Sequence, residues 1–214
     1  MLKFKTRFLL ILLVFAGIFA WRYGLLPRLP AFVPAQSQIS TSSPSSSSSS
    51  SAATPVEAIV SGKALSTTYY YHFQPGLSAT DQALFKQAIA AYNRTGIVKL
   101  IAGTSKTANT LTLGSYSKVM PASAQTFELG HGGPQITETW SALGSSVVNR
   151  ASAELNIAYQ SRLSLAVAMH ELGHALGLDH ATSTTSVMYP IDQGVSQLSS
   201  GDLAGLKQIY QPQK

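Results

Sequence analysis

His170 and His174 stand four residues apart with Glu171 directly after the first, and Gly177 and His180 follow a few positions on. This stretch limits the fold more than any other in the chain. On a helix, side chains at i and i+4 lie one above the other on the same face, so both imidazoles can reach one metal ion. Glu171 points about 100° further round, close enough to hold a water on that ion but not aimed to ligate it. A catalytic zinc usually takes three protein ligands plus a water, so two imidazoles leave it one short. His180 completes the set if the chain turns back in time. Gly177 supplies the turn, because a glycine just past a helix takes positive φ without a Cβ clash. The spacing therefore predicts a helix through about Leu176, a reversal at Gly177, and His180 approaching from outside the helix.

These residues form the pattern H-E-x-x-H-x-x-G-x-x-H, and in it the chain resembles the metzincin family of zinc endopeptidases. A second mark is Ser186-Val187-Met188-Tyr189-Pro190, which resembles the Met-turn of the matrixin branch. There the methionine forms an apolar floor beneath the histidines, a task suited to a soft side chain that fills irregular space. Astacin-like and serralysin-like enzymes carry a tyrosine two residues after the methionine. Here Pro190 holds that place and Tyr189 comes one residue early, so Tyr189 is not taken as a ligand. Adamalysin-like enzymes follow the third histidine with Asp, whereas Ala181 stands here. The matrixin branch fits best.

The resemblance implies an α+β catalytic domain with a twisted, mostly parallel sheet of about five strands and about three helices. It implies one catalytic Zn2+ on His170, His174 and His180, with Glu171 as general base for a zinc-activated water that hydrolyses peptide bonds. Gly177 and Met188 would support the site, and Val187, Tyr189 and Pro190 would wall the pocket beyond the scissile bond. A protein or peptide substrate is expected to bind extended along a sheet edge. Calcium is left open, since hard cations want several carboxylates or carbonyls and the relevant loops carry only Glu128 and Glu138.

Net charge of +6 invites a nucleic-acid reading, but its distribution argues against one. Lys3, Lys5, Arg7, Arg22 and Arg28 precede every acidic residue, and the remaining ten Lys/Arg are nearly balanced by nine Asp/Glu. The excess belongs to a targeting segment and not to a phosphate-binding face. Residues 1–35 read as a signal anchor or a signal peptide. The basic prefix leads into the uncharged apolar run Phe8 to Trp21, and the anchor is the preferred reading because no small-residue cleavage site follows closely. The protein is thus expected outside the cytoplasm, membrane-attached or secreted after cleavage, and as a monomer. Residues 36–60 read as a disordered serine-rich linker, with an unbroken run from Ser45 to Ser51, since such a segment has little apolar surface to set against its chain entropy. Residues 61–214 are the expected catalytic domain. With no cysteine, it has neither disulfides nor the thiolate latch of secreted matrix metalloproteinases.

Within the domain, Thr67 to Phe73 reads as a strand, Ser78 to about Asn93 as a helix, and Ile97 to Ala102 and Thr110 to Tyr116 as further strands. The stretch 117–146 is expected to hold loops and the edge strand above the cleft, with His131 a loop histidine. Ala151 to Ala158 should be the last strand, with Ala153, Leu155 and Ile157 facing inward and Glu154 solvated. Ser161 or Ser164 caps the motif helix, and Leu198 to Tyr210 closes the domain. Competing functions are a zinc peptidase or amidase acting on cell-wall peptides and a non-catalytic surface-binding module. The second has no need of Glu171. An intramembrane protease is excluded by the polar residues that follow the motif.

Overall fold

A computed structural model of the chain describes residues 52–142 and 144–211. The N-terminal segment 1–35 and residues 36–51 of the serine-rich linker lie outside the described residues. Among those described, no helix is long and apolar enough to cross a membrane.

The expected α+β architecture forms. Among the described residues its six strands are β1 (Thr68–Phe73), β2 (Lys99–Ala102), β3 (Asn109–Tyr116), β4 (Gly130–Gly133), β5 (Ile136–Ser141) and β6 (Gly144–Asn156). The sheet order is β2-β1-β3-β6-β4, and β5 pairs with the first half of β6. β1, β2, β3 and β6 run parallel, while β4 and β5 are antiparallel to β6. The helices are α1 (Ala79–Arg94), α2 (Leu165–Ala175) and α3 (Ser200–Tyr210), each opened by a serine whose side chain accepts a backbone N–H of the first turn.

The core follows from these patterns. Phe85, Ala88, Ile89 and Tyr92 of α1 are buried together with Leu111 and Leu113 of β3, Ala151, Ala153 and Leu155 of β6, and most of α2. Nine of the eleven α2 residues are buried, so this helix is held on nearly every side. A polar thread runs through the apolar mass. The Asn149 amide donates to Tyr69 Oη and to the Ala175 carbonyl, both at 3.0 Å, and the Tyr210 hydroxyl donates to the Leu176 carbonyl at 2.8 Å. It links sheet, α2 and α3 with every member satisfied, the condition under which a buried network rigidifies a core.

Two segments differ from the sequence reading. β6 begins at Gly144, well before Ala151, because residues 144–149 pair with β5 as a hairpin. It also ends at Asn156, whose side chain accepts the Ala158 N–H and bends the chain into a 3-10 turn over Ile157–Arg162. Ile157 therefore leaves the core face and is exposed. Before β1, Thr54 and Val60 are buried and Val56 bridges to Leu178. The packed body thus takes in residues that a disordered linker ending at residue 60 would leave out.

Candidate metal centre

α2 stops where the glycine permits. Gly177 has φ +99°; its N–H donates to the His174 carbonyl at 2.8 Å, and the Leu178 N–H donates to the Gly173 carbonyl at 3.0 Å. This pair of bonds is a Schellman ending, which satisfies the last carbonyls of the helix and reverses the chain. After the reversal, the His180 N–H donates to the Asp179 carboxylate at 2.7 Å, and the Ala181 N–H to the Met188 carbonyl at 2.9 Å.

The three rings meet. His174 Nε2 lies 3.1 Å from His170 Nε2 and 3.2 Å from His180 Nε2. A tetrahedral ion with ligand bonds near 2.0 Å has ligand–ligand edges of about 3.3 Å, so this spacing fits imidazoles sharing one ion. The far nitrogens are committed elsewhere. His170 Nδ1 is 2.8 Å from the Val187 carbonyl and His174 Nδ1 is 2.9 Å from the Leu178 carbonyl. Each carbonyl accepts a hydrogen bond from Nδ1–H, the tautomer that leaves the Nε2 lone pair free for a cation. Burial holds both rings below the usual imidazole range. For His174 burial acts first, then the neighbouring His170 and His180, down to about 4. Both are neutral at pH 7, the state a metal ligand requires. Among the described residues this is the group of metal-type side chains that converges, and three imidazoles suit zinc well.

Glu171 sits beside the triad, buried, and its carboxyl is pushed up to about 8 by burial and secondarily by the Glu128 carboxylate. A dication nearby acts in the opposite direction and favours the carboxylate. Two glycines of β4 allow α2 to approach so closely. A Cβ on Gly130 would stand 2.6 Å from Glu171 Cγ, and one on Gly132 would stand 2.3 Å from the Glu171 carbonyl oxygen. Met188 is fully buried beneath the helix, and a Cβ on Gly173 would meet its sulfur at 2.3 Å. Val187 is buried, whereas Tyr189 is partly open and Pro190 more so.

Several contributors escape a motif-based reading. Asp202, wholly buried, accepts from the Thr54 and Ser186 hydroxyls, the Val187 N–H, and both the N–H and hydroxyl of Ser199. It thereby ties the Met-turn to the start of α3 and to the N-terminal segment. The pattern Ser199-x-x-Asp202 ahead of an apolar run signals a capping box, but not these long-range partners. His131 belongs to β4 and not to a loop. Its Nε2 lies 2.7 Å from a Glu154 oxygen, and Gln74 donates to the other oxygen at 2.7 Å. Glu154 is thus a partnered, mostly covered carboxylate, not a solvated one.

Comparison with known proteins agrees with this geometry. Residues 115–211 match the family model described as Matrixin. Macrophage metalloelastase of Oryctolagus cuniculus is 46% identical over 48 residues, covering 21% of this chain and 10% of the relative. Interstitial collagenase of Sus scrofa is 52% identical over 48 residues, covering 22% and 10%. Matrilysin of Rattus norvegicus is 48% identical over 50 residues, covering 22% and 19%. The chain spans less than a fifth of the length of these relatives. The match takes in the histidine motif, the Met-turn and α3, and it makes residues 115–211 similar to the matrixin family.

Proposed function

We propose that this protein is a zinc-dependent metalloendopeptidase acting on proteins outside the cytoplasm. The observation that supports it most is the convergence of the His170, His174 and His180 Nε2 atoms at the edge length of a zinc tetrahedron. Bound there, the cation supplies Lewis acidity toward the scissile carbonyl and lowers the pKa of a water. Glu171 accepts the proton of the attacking water and passes it to the departing amine, a role for which a neighbouring dication would draw its buried carboxyl back toward the ionised form. The Val187 and Leu178 carbonyls keep the rings oriented throughout. Among the described residues β4 pairs with β6 alone and ends the sheet order, so an extended peptide can add there as one more strand. Val187, Tyr189 and Pro190 wall the pocket on the leaving side, while Met188 is the apolar floor beneath the histidines. Residues 1–35 give export or membrane attachment, the serine-rich stretch that follows, up to Ser51, is the spacer, and the protein works as a monomer.

Glu171→Gln should retain one zinc per chain and lose at least about 10²-fold in peptide hydrolysis. His180→Ala should lose zinc on mild chelation. Hydrolysis of a peptide library with and without chelator, alongside metal analysis, checks both. Near-native turnover by Glu171→Gln, or zinc retained as in wild type by His180→Ala, would remove that residue from its role.

A further inference from the structure

The segment Thr54–Glu57 lies in sequence far before the motif, yet it runs along the turn that delivers the third histidine. Val56 pairs antiparallel with Leu178. Glu57 N–H donates to the Gly177 carbonyl and Asp179 N–H to the Pro55 carbonyl, both at 2.8 Å. The strap is anchored at its other end, where Thr54 donates from its N–H to the Gly201 carbonyl at 3.0 Å and from its hydroxyl to Asp202 at 2.7 Å. Further along, Val60 packs against Gly177 so closely that a Cβ there would stand 2.8 Å from it. The contacts of Pro55, Val56, Glu57 and Val60 fall on Gly177 to Asp179, the residues between the end of α2 and His180. One side chain goes further. A Glu57 carboxylate oxygen lies 3.5 Å from His174 Nδ1, the nitrogen already bonded to the Leu178 carbonyl.

We infer that the strap is part of the metal centre and that Glu57 is a positioning residue for it. The backbone pairing fixes the return loop, so His180 is presented without first being ordered. Such pre-organisation lowers the cost of binding. The Glu57 carboxylate supports the His174 Nδ1–H from outside the ligand shell and places negative charge near a site built to hold a dication. Groups in that position tune metal affinity by about 10- to 100-fold. The inference rests on the triad holding zinc.

The test uses the full chain and reads Zn2+ affinity by competition with a chromophoric chelator, together with the melting temperature of the metal-free protein. Glu57→Gln keeps the size and the backbone of the strap and removes the charge; it should weaken Zn2+ binding about 10-fold and leave the metal-free melting temperature unchanged. Glu57→Asp should recover part of the loss. Thr54→Val, which frees one end of the strap, should weaken binding in the same direction. A purely structural role would lower the metal-free melting temperature of Glu57→Gln and leave zinc affinity alone. That result, or wild-type affinity in Glu57→Gln, overturns the inference. His180→Ala runs alongside: if it binds zinc like wild type, the ligand assignment itself fails, whereas a loss there with no loss in Glu57→Gln rejects only the role of the strap.

Discussion

Gly132→Ala isolates the contact that seats the motif helix against the edge of the sheet. The glycine is in β4 at ordinary φ, so an added methyl strains no backbone dihedral, and its effect is steric. The new Cβ would lie 2.3 Å from the Glu171 carbonyl oxygen, where ordinary contact begins near 3.4 Å. β4 and α2 must therefore separate by about 1 Å, and no rotamer can absorb it because both sides are backbone. Overpacking of this size costs about 1–3 kcal/mol, or about 3–9 °C in a domain of this length. A misplacement of about 1 Å between reacting groups costs on the order of 10²-fold in rate, and here it would fall between Glu171 and a peptide lying along β4. Gly133→Ala is the control, one residue on in the same strand, with nothing within 4 Å of its would-be Cβ. Urea denaturation and peptide hydrolysis on both variants decide the matter. If Gly132→Ala matches Gly133→Ala in stability and rate, the close seating of α2 on β4 does not hold, and the placement of Glu171 loses its basis.

The remaining predictions concern buried carboxyls. Asp202→Ala would strand the Thr54, Ser186, Val187 and Ser199 donors that converge on it. A loss of about 3–5 kcal/mol is expected, with Asp202→Asn milder, as read from denaturant midpoints. In the metal-free protein the Glu171 carboxyl sits near pKa 8 against an ordinary 4.5. The folded state then holds its proton where the unfolded chain has released it, so this group costs stability progressively as pH rises from about 4.5 to about 8. Glu171→Gln should therefore be more stable than wild type by a few kcal/mol at pH 8 and equal to it near pH 4. Chelator-treated protein melted across that range checks this, and parallel pH profiles for the two would contradict it.

What the sequence disclosed depended on how local the cause was. The i, i+4 histidines, the glycine that ends α2 and the serine caps at Ser78, Ser164 and Ser199 act within a few residues, so their consequences could be read from spacing. Strands rich in aromatic and β-branched residues were equally plain. β4 was not, because Gly130-His131-Gly132-Gly133 has no strand propensity. It is a strand because β6 offers an edge and α2 requires neighbours without side chains. Asn149 and Asp202 look like surface residues in a linear reading. They are buried because partners far along the chain satisfy them. Glu57 sits at the fringe of a low-complexity run, and its approach to His174 depends on a pairing between segments more than a hundred positions apart.

The reversal after α2 does two jobs with one piece of backbone. It brings His180 Nε2 to within 3.2 Å of His174 Nε2 and lends the Leu178 carbonyl to His174. The interval from 174 to 180 is consequently inextensible. Adding or deleting a single residue within it would move the third imidazole and an orienting acceptor in the same stroke, so drift in loop length, common elsewhere on a protein surface, has no neutral path here.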